Sequence, residues 1–425
     1  MTWILVILNS GIFVLSLFLI KEKYNPLTLF SGFWLALMFL STLELFNIKK
    51  ADTKVYLIVL IGVFSYAIGC LIASELNVKF SISKRFQTSS DAQHNINYKI
   101  LPVITLIISL IMTVYFLRTM TAMLQGYPLN YIRSNFTDLI IRNEFERLAW
   151  TFISWPLSLS IMPMGLYAFY VDGKSKGYLF ASLLNTILLS ICSGGRVYLL
   201  FYIIQIAFFT IFTKKSVSFK GRLFRNIALI ATFIIVINVA MYISDERQIT
   251  TSPAESLYSY FTGCFQYLGF KLKQAGDVKY SGGIYFLYSP ITLGLMILKN
   301  IGLIKYPAKF LSAQATINAL QEYTKVGNSW FNAFATCFYY FYMDGGFFGV
   351  IIESIIYGYI SYKIFRSLRS HPQARNIVLY SIFLITIFTS MVRWQFGRPE
   401  FFMTAVYVIL LTRIHQRKTE TKNAH

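Results

Sequence analysis

The sequence predicts an all-α polytopic integral membrane protein, on the evidence of its composition and of the apolar runs along it. Of the 425 residues, 56% are hydrophobic and only 13% are charged, and the mean hydropathy is +0.56. A water-soluble globule of this size could not hide that much apolar surface in its core. Runs long enough to cross about 30 Å of hydrocarbon as a helix recur along the chain. We therefore expect about 11–13 transmembrane helices.

Each predicted span is an apolar run bounded by polar or basic residues. The runs lie at 2–20, 27–47, 54–74, 100–118, 149–170, 177–194, 196–213, 226–243, 329–343, 346–365, 376–394 and 400–414. A further run, Phe286–Ile304, contains Pro290 and Lys299, so a re-entrant or interfacial helix is as good an interpretation as a full span. We expect residues 1–425 to form a single transmembrane domain with one long extracytoplasmic loop, about 244–328.

Basic residues in short loops set the expected orientation. The loops Lys214–Arg225 and Lys363–Arg375 carry five and four Lys or Arg residues and no acid, so both should be cytoplasmic. The net charge of +21, from 39 Lys and Arg against 18 Asp and Glu, is thereby explained by topology and does not indicate a nucleic-acid partner. Counting spans back places Ser193–Arg196 and Thr119–Leu148 at the opposite, extracytoplasmic face. Because the number of crossings in this part of the chain must then be even, either Phe286–Ile304 also crosses the membrane or residues 329–343 do not.

The segment "SGGR", at the turn between two of these spans, places an arginine among apolar residues. A guanidinium near the bilayer centre costs at least ~2.5 to 3.5 kcal/mol, so something must offset Arg196. The first N–H groups of the next helix and its positive dipole end would point outward beside Arg196, and Gly194 and Gly195 would let a phosphate approach the backbone. An arginine fork matches phosphate oxygens two at a time. A tight helical turn with a snorkelling arginine is the alternative.

Further arginines and acids fall on the same predicted face, against the usual charge bias. They are Arg133, Arg142 and Arg147 after the fourth span, Asp245, Glu246 and Arg247 after the eighth, Asp344 in "MDGG", and Arg393, Arg398 and Glu400 in "MVRWQFGRPEFF". A loop ion pair is the alternative interpretation of each one singly. Together they predict an anion-binding outer face.

The positions of the histidines limit which residue could act as a base at that face. His94, His371 and His415 fall on the predicted cytoplasmic side, and the fourth histidine is the last residue, so a carboxylate would have to act as the base there. We prefer Asp245 and Asp344, which neighbour span ends. Glu353, inside a span, is either functional or a buried partner of an arginine. The four cysteines have no zinc-ligand or disulfide spacing, and we expect neither a metal nor a cofactor.

Two motifs follow each other in a fixed order: the "SGGR" turn and then, after the long loop, "GNSWFNAFATCFYYFYMDGGFFGVIIESIIYGYISYKIF". This order resembles the Wzy-type O-antigen and oligosaccharide repeat-unit polymerases, in which an Asn-rich approach, an aromatic half-span, "DGG" or "DFG" and a Gly-containing helix precede the last two spans. The matching residues are Asn328, Asn332, Asp344, Gly345, Gly346, Gly349 and Gly358. The resemblance covers about Tyr178 to Arg398, and the first hundred residues by hydropathy only.

The resemblance implies a GT-C-like glycosyltransferase of the bacterial inner membrane. Its substrates would be undecaprenyl-pyrophosphate-linked oligosaccharides reached from membrane lipid at the periplasmic or outer face, with a polysaccharide chain-length regulator as a further partner and no nucleic acid. A displaced pyrophosphate needs preorganised positive charge, which arginines supply without a metal. The expected catalytic residues are Arg196, Asp245 and Asp344. The expected substrate-binding residues are Gly194, Gly195, Arg133, Arg142, Arg247, Asn332, Arg393 and Arg398.

Other membrane proteins that handle lipid-linked glycans are alternatives. An O-antigen ligase would use closely similar chemistry, and the sequence separates it poorly from a polymerase. A lipid-linked oligosaccharide flippase would also have about twelve to fourteen spans, but its charges should be spread over many of them, whereas here they gather at one face and in one long loop. A mannosyltransferase with a monosaccharide-phosphate donor should carry an acidic pair near its first spans, where this chain has no DxD-like pair.

Overall fold

The computed structural model describes residues 1–20, 22, 24–81, 92–212, 253–276, 280–322, 324–326, 329–331, 334–412 and 414–416. The predicted span 226–243 and the basic loop before it lie outside these residues. The helices are α1 (Thr2–Leu19), α2 (Pro26–Thr42), α3 (Thr53–Ser81), α4 (Leu101–Leu124), α5 (Leu129–Ser134), α6 (Phe136–Leu139), α7 (Glu144–Ala149), α8 (Trp155–Tyr170), α9 (Lys176–Cys192), α10 (Val197–Phe212), α11 (Pro253–Ala275), α12 (Tyr288–Asn300), α13 (Ala308–Ala319), α14 (Thr336–Ser370), α15 (Ala374–Thr389) and α16 (Pro399–Leu411).

Within the described ranges, the strands form two short antiparallel pairs. Strand β1 (Ala92–His94) pairs with β4 (Ile414–Gln416), and β2 (Thr324–Val326) pairs with β3 (Ser329–Phe331). A π-helical turn at Trp150–Ser154 joins α7 to α8, so that helical structure is continuous from Glu144 to Tyr170. The all-α class predicted from the sequence is confirmed.

The described part of the chain contains five helices long and apolar enough to cross a membrane, judged by length and composition. They are Thr2–Leu19, Thr53–Ser74, Leu101–Leu124, Glu144–Tyr170 and Thr336–Ser370, and shorter apolar helices occur at α2, α9, α10, α15 and α16. Their positions match the predicted apolar runs. The protein is therefore a helical membrane protein, while the total of 11–13 spans stays a prediction.

The prediction of two separate spans at 329–343 and 346–365 was wrong in detail. Residues Ser329–Phe331 form a strand, and helix α14 begins at Thr336 and continues to Ser370 across a break at Gly345 and Gly346. Gly346 has a φ of +61°, which favours glycine. The stretch before the break is only about 13 Å long at 1.5 Å per residue, too short to cross about 30 Å of hydrocarbon alone.

The long predicted loop is largely helical where the structure describes it. It contains α11, α12, α13 and the β2–β3 hairpin. The run Phe286–Ile304, which the sequence left open as a full span, yields only the 13-residue α12. A helix of that length extends about 20 Å, less than the hydrocarbon thickness. The lengths of α12 and of the first half of α14 both agree with the second alternative predicted from the sequence, in which residues 329–343 do not cross the membrane.

By its internal contacts the chain divides into two compact units. The first comprises Met1–Glu75, Arg247–Phe365 and Phe383–Phe402, and the second comprises Leu76–Glu246, Arg366–Ile382 and Met403–His425. The single domain expected over residues 1–425 stays a prediction.

The first unit is organised around a close crossing of α3 and α14. A Cβ atom added to Gly69 would lie 2.0 Å from the Ile355 carbonyl oxygen, and one added to Gly358 would lie 2.1 Å from the Tyr66 carbonyl oxygen. The Cys70 thiol donates to the Gly358 carbonyl at 3.3 Å. Small residues commonly bring membrane helices this close, because lipid offers no hydrophobic drive for their association. The crossing fixes α14 and therefore the position of its break.

Interhelical polar contacts join the helices of the second unit. The Asn185 amide on α9 donates to Ser109 Oγ on α4 at 2.8 Å, and the hydroxyls of Ser182 and Tyr202 lie 2.9 Å apart between α9 and α10. Gly165 on α8 permits a similarly close approach, since a Cβ there would lie 2.7 Å from a carbonyl oxygen just after the start of α9. These contacts hold α9 against α4, α8 and α10, the two helices α9 and α10 being those that the "SGGR" turn connects.

Replacing Gly69 with alanine should destabilise the protein, because the added methyl group would overlap the backbone of α14. We expect a loss of about 1 to 3 kcal/mol, the usual range for overpacking, measured as a lower thermal unfolding midpoint in detergent. The control is Gly11→Ala on α1, where the new Cβ would meet no atom within 4 Å. Equal unfolding midpoints for the two variants would contradict the tight crossing.

Candidate functional site

The predicted "SGGR" turn links α9 to α10 and caps the end of α9. The Gly194 N–H donates to the Ile191 carbonyl at 3.0 Å, and the Gly195 N–H donates to the Ser190 carbonyl at 2.9 Å. This pair of bonds is a Schellman motif. Gly194 has a φ of +57°, a conformation that residues with a side chain rarely adopt. The backbone of the turn therefore accounts for the glycine at 194.

Two predicted arginines lie at this turn. A Cβ on Gly194 would lie 3.2 Å from the Cβ of Arg133, which belongs to α5. Arg196 directly precedes α10, and its carbonyl accepts the Leu199 N–H at 3.2 Å. Both arginine side chains are partly exposed. The structure therefore brings Arg133 to the glycine turn that sequence reasoning had tied only to Arg196.

Arg142 belongs to a neighbouring ion-pair cluster. Its backbone N–H donates to Glu146 Oε2 at 2.9 Å, and its side chain is exposed. Glu146 is held by Arg118 through two bonds of 2.9 and 3.1 Å, and Arg118 also donates to the Ile140 carbonyl at 3.0 Å. Sequence reasoning missed this bidentate pair, although an arginine ending one span and an acid in the following loop were a usable signal.

The Asp344 carboxylate, buried at 3% exposure, lies at the end of the first half of α14. It accepts hydrogen bonds from the Ser281 hydroxyl and from three backbone N–H groups, of Gly283 at 3.0 Å, Tyr285 at 3.0 Å and Phe286 at 2.7 Å. These four bonds equal the number of lone-pair positions of a carboxylate. Such contacts assign Asp344 a positioning role, and its catalytic role stays a prediction.

The segment that Asp344 holds fixes the turn between α15 and α16. The rings of Phe286 and Trp394 stack with centroids 4.9 Å apart, and Trp394 Nε1 donates to the Phe286 carbonyl at 2.9 Å. The Ser289 hydroxyl donates to the Phe396 carbonyl at 2.5 Å. Two of the predicted site residues, Arg393 and Arg398, flank this stretch. Asp344 therefore supports them through one intermediate segment, 281–289.

Both arginines interact electrostatically with the same buried hydroxyl, that of Tyr340 on α14. Tyr340 is 3% exposed, whereas Arg393 and Arg398 are partly exposed. Arg398 also pairs with Glu400 at 3.4 Å. Two guanidinium groups whose charges act on one buried hydroxyl form a positive site, of the kind that stabilises negative charge on a leaving group.

A cluster of four buried tyrosines adjoins this site. The Tyr339 hydroxyl interacts electrostatically with those of Tyr267, Tyr285 and Tyr340, and none of the four residues is more than 4% exposed. Burial raises the pKa of Tyr285, and the nearby Asp344 adds to this shift, so its hydroxyl stays neutral. We call Tyr267, Tyr285, Tyr339 and Tyr340 the tyrosine cluster. Sequence reasoning assigned most aromatic residues to interfacial belts and did not single these out.

Glu353, the carboxylate predicted inside a span, is 7% exposed. It interacts with Asp344, and its Oε2 atom has no hydrogen-bond partner among the described residues. The ion pairs found in the described ranges do not include it, so they give no support to the arginine partner considered from the sequence.

Three of the predicted site residues, Asp245, Arg247 and Asn332, lie outside the described residues. Within those residues, no group of three or more His, Cys, Asp and Glu side chains could hold a metal ion. Comparisons with protein-family models, curated proteins and solved structures find no match to the chain.

Asp344→Asn should loosen segment 281–289, because an amide nitrogen would replace one acceptor oxygen and face backbone N–H donors. Hydrogen bonds to charged groups contribute about 1.5 to 3 kcal/mol each, so we expect destabilisation of about 2 kcal/mol or more and faster proteolysis within 281–289. The control is Asp138→Asn, an exposed residue of α6. Wild-type stability and proteolysis of Asp344→Asn would overturn the positioning role.

Proposed function

We propose that the protein is a GT-C-like, metal-independent glycosyltransferase of the bacterial inner membrane. It polymerises undecaprenyl-pyrophosphate-linked repeat units into O-antigen or capsular-type polysaccharide at the periplasmic or outer face. The observation that carries the proposal is the pair Arg393 and Arg398, which both interact electrostatically with the buried Tyr340 and flank a turn supported by the buried Asp344. Fixed positive charge beside aromatic hydroxyls suits a pyrophosphate leaving group attached to a sugar.

The reaction in this proposal is a direct displacement at the anomeric carbon of the donor glycan. The bond between that carbon and the pyrophosphate oxygen breaks, and the electron pair leaves with undecaprenyl pyrophosphate. A hydroxyl oxygen at the non-reducing end of the acceptor repeat unit forms the new bond, and its proton passes to a carboxylate base. Because the negative charge grows on the leaving phosphate, arginines held in advance stabilise the transition state more than the ground state.

Two lipid-linked substrates must be bound, and each carries a pyrophosphate. We assign one pyrophosphate to Arg393 and Arg398 and the other to the "SGGR" turn, where Arg196 precedes the start of α10 and Arg133 of α5 packs against Gly194. Helix N-termini and arginine forks both favour phosphate. With the Asp344 carboxylate occupied by four donors, Asp245 is the base that we prefer.

The function is tested by deleting the gene and analysing surface polysaccharide on gels. A polymerase predicts one repeat unit per lipid anchor in the deletion strain and restoration of the ladder by the intact gene. Full-length polymer retained on the lipid carrier would instead indicate a ligase, and absence of any external repeat unit would indicate a flippase. An unchanged ladder in the deletion strain would refute all three assignments.

The arginines should not be replaceable by lysine if they hold phosphate through two-pronged contacts. Lysine keeps the charge but loses the fork, so Arg393→Lys, Arg398→Lys and Arg196→Lys should each shorten the polymer and lower its yield. Removing one such donor costs about 3 to 4 kcal/mol of barrier, so the alanine variants should be nearly inactive.

The control for these variants is Arg369→Lys, an exposed position near the end of α14. All variants are compared at matched protein levels in the membrane. Wild-type ladders from the lysine and alanine variants at 196, 393 and 398 would show that the arginines are structural.

A further inference from the structure

Helix α11 carries a buried lysine that sequence reasoning did not single out. Lys271 is 7% exposed, although α11 is not among the apolar helices of the protein. Its neighbour Lys273, two residues on, is exposed and pairs with Asp52 at 2.7 Å. One helix therefore carries a buried lysine and a solvated, ion-paired lysine on different faces.

Within the described part of the chain, the Lys271 ammonium has few hydrogen-bond partners. Among the described residues it makes one hydrogen bond, to Gln274 Oε1 at 3.1 Å, and it takes part in no ion pair. An ammonium has three donors, and a buried charge is costly unless it is paired. Burial accordingly lowers the pKa of Lys271, and the nearby Glu322 offsets part of this effect. A further acceptor group would offset the cost of burying this ammonium.

The surroundings of Lys271 connect it to the tyrosine cluster. Its ammonium lies over the rings of Tyr267 and Phe270, 5.4 and 5.8 Å from their centroids. Tyr267 belongs to the tyrosine cluster, and its hydroxyl is fixed by the Leu320 carbonyl at 3.2 Å. Tyr340, another member of the cluster, interacts electrostatically with Arg393 and Arg398. Cationic groups therefore interact with two members of the tyrosine cluster, Lys271 with the ring of Tyr267 and the two arginines with Tyr340.

We propose that Lys271 binds an oxyanion on the glycan substrate, a sugar carboxylate or a phosphate, in addition to the pyrophosphate assigned to the arginines. The inference rests on the proposed function for the identity of the substrate. An ammonium recognises an oxyanion as a point charge, while flanking aromatic rings and hydroxyls suit sugar rings. The repeat unit handled by this protein would then carry an acidic group near the Arg393 and Arg398 site.

The test measures stabilisation of the purified full-length protein in detergent by three probes: sodium glucuronate, sodium pyrophosphate and glucose. We expect glucuronate or pyrophosphate, and not glucose, to raise the unfolding midpoint. Lys271→Met should lower the affinity for that anion by about tenfold or more, the effect of losing one charged hydrogen bond. Lys273→Met is the matched control and should bind as wild type does.

The two anions distinguish the sources of the oxyanion. Dependence of glucuronate binding on Lys271 indicates an acidic sugar, and dependence of pyrophosphate binding alone indicates a phosphate. If neither anion stabilises the wild-type protein, or if Lys271→Met and Lys271→Gln bind both as wild type does, the inference is overturned. This experiment measures anion binding, whereas the proposed function is tested by the polymer ladder. A negative binding result would therefore overturn the inference about Lys271 without contradicting the proposed function.

Discussion

The four hydrogen bonds to the buried Asp344 carboxylate are the interaction on which the candidate site depends. A carboxylate in this position is costly to bury, and only donors aimed at both oxygens offset that cost. Three of these donors are backbone N–H groups of one segment, so Asp344 fixes the path of the chain there and not merely one side chain. That segment in turn positions the turn that carries Arg393 and Arg398, through Phe286 and Trp394.

The break in α14 explains why an aspartate can make these contacts. A continuous helix would bond its own carbonyls, whereas the non-helical Gly345 and Gly346 leave the Met343 and Asp344 carbonyls to accept N–H groups of Ser281 and Gly282, at 3.2 and 3.0 Å. The tight crossing with α3 holds the second half of α14, so the break has a fixed position. A "DGG" sequence inside an apolar helix thereby anchors the segment 281–289 to α14.

The sequence predicted the apolar helices well, because their signal is local. The run predicted at 177–194 corresponds to α9, and the run predicted at 196–213 to α10. Helix α11 was missed because it is less apolar, and apolar length was the criterion. The strand at Ser329–Phe331 was missed for the opposite reason, since "SWF" adjoins an apolar run and was counted with it.

The sequence predicted which residue types would form the site, but not which groups each of them contacts. Arginines at an expected outer face stood out from the charge bias, whereas the donors to Asp344 are backbone groups far along the chain, which no residue pattern reveals. The burial of Lys271 could not be predicted either. A lysine on a polar helix is expected to face solvent, and only tertiary packing reveals that Lys271 is covered.

The most direct test of the account is an assay with the purified protein, an undecaprenyl-pyrophosphate-linked repeat unit and a metal chelator. It counts released undecaprenyl pyrophosphate against glycosidic bonds formed. The account predicts polymer, with one undecaprenyl pyrophosphate released for each new bond. Bond formation abolished by the chelator, or release of the lipid carrier without bond formation, would contradict it.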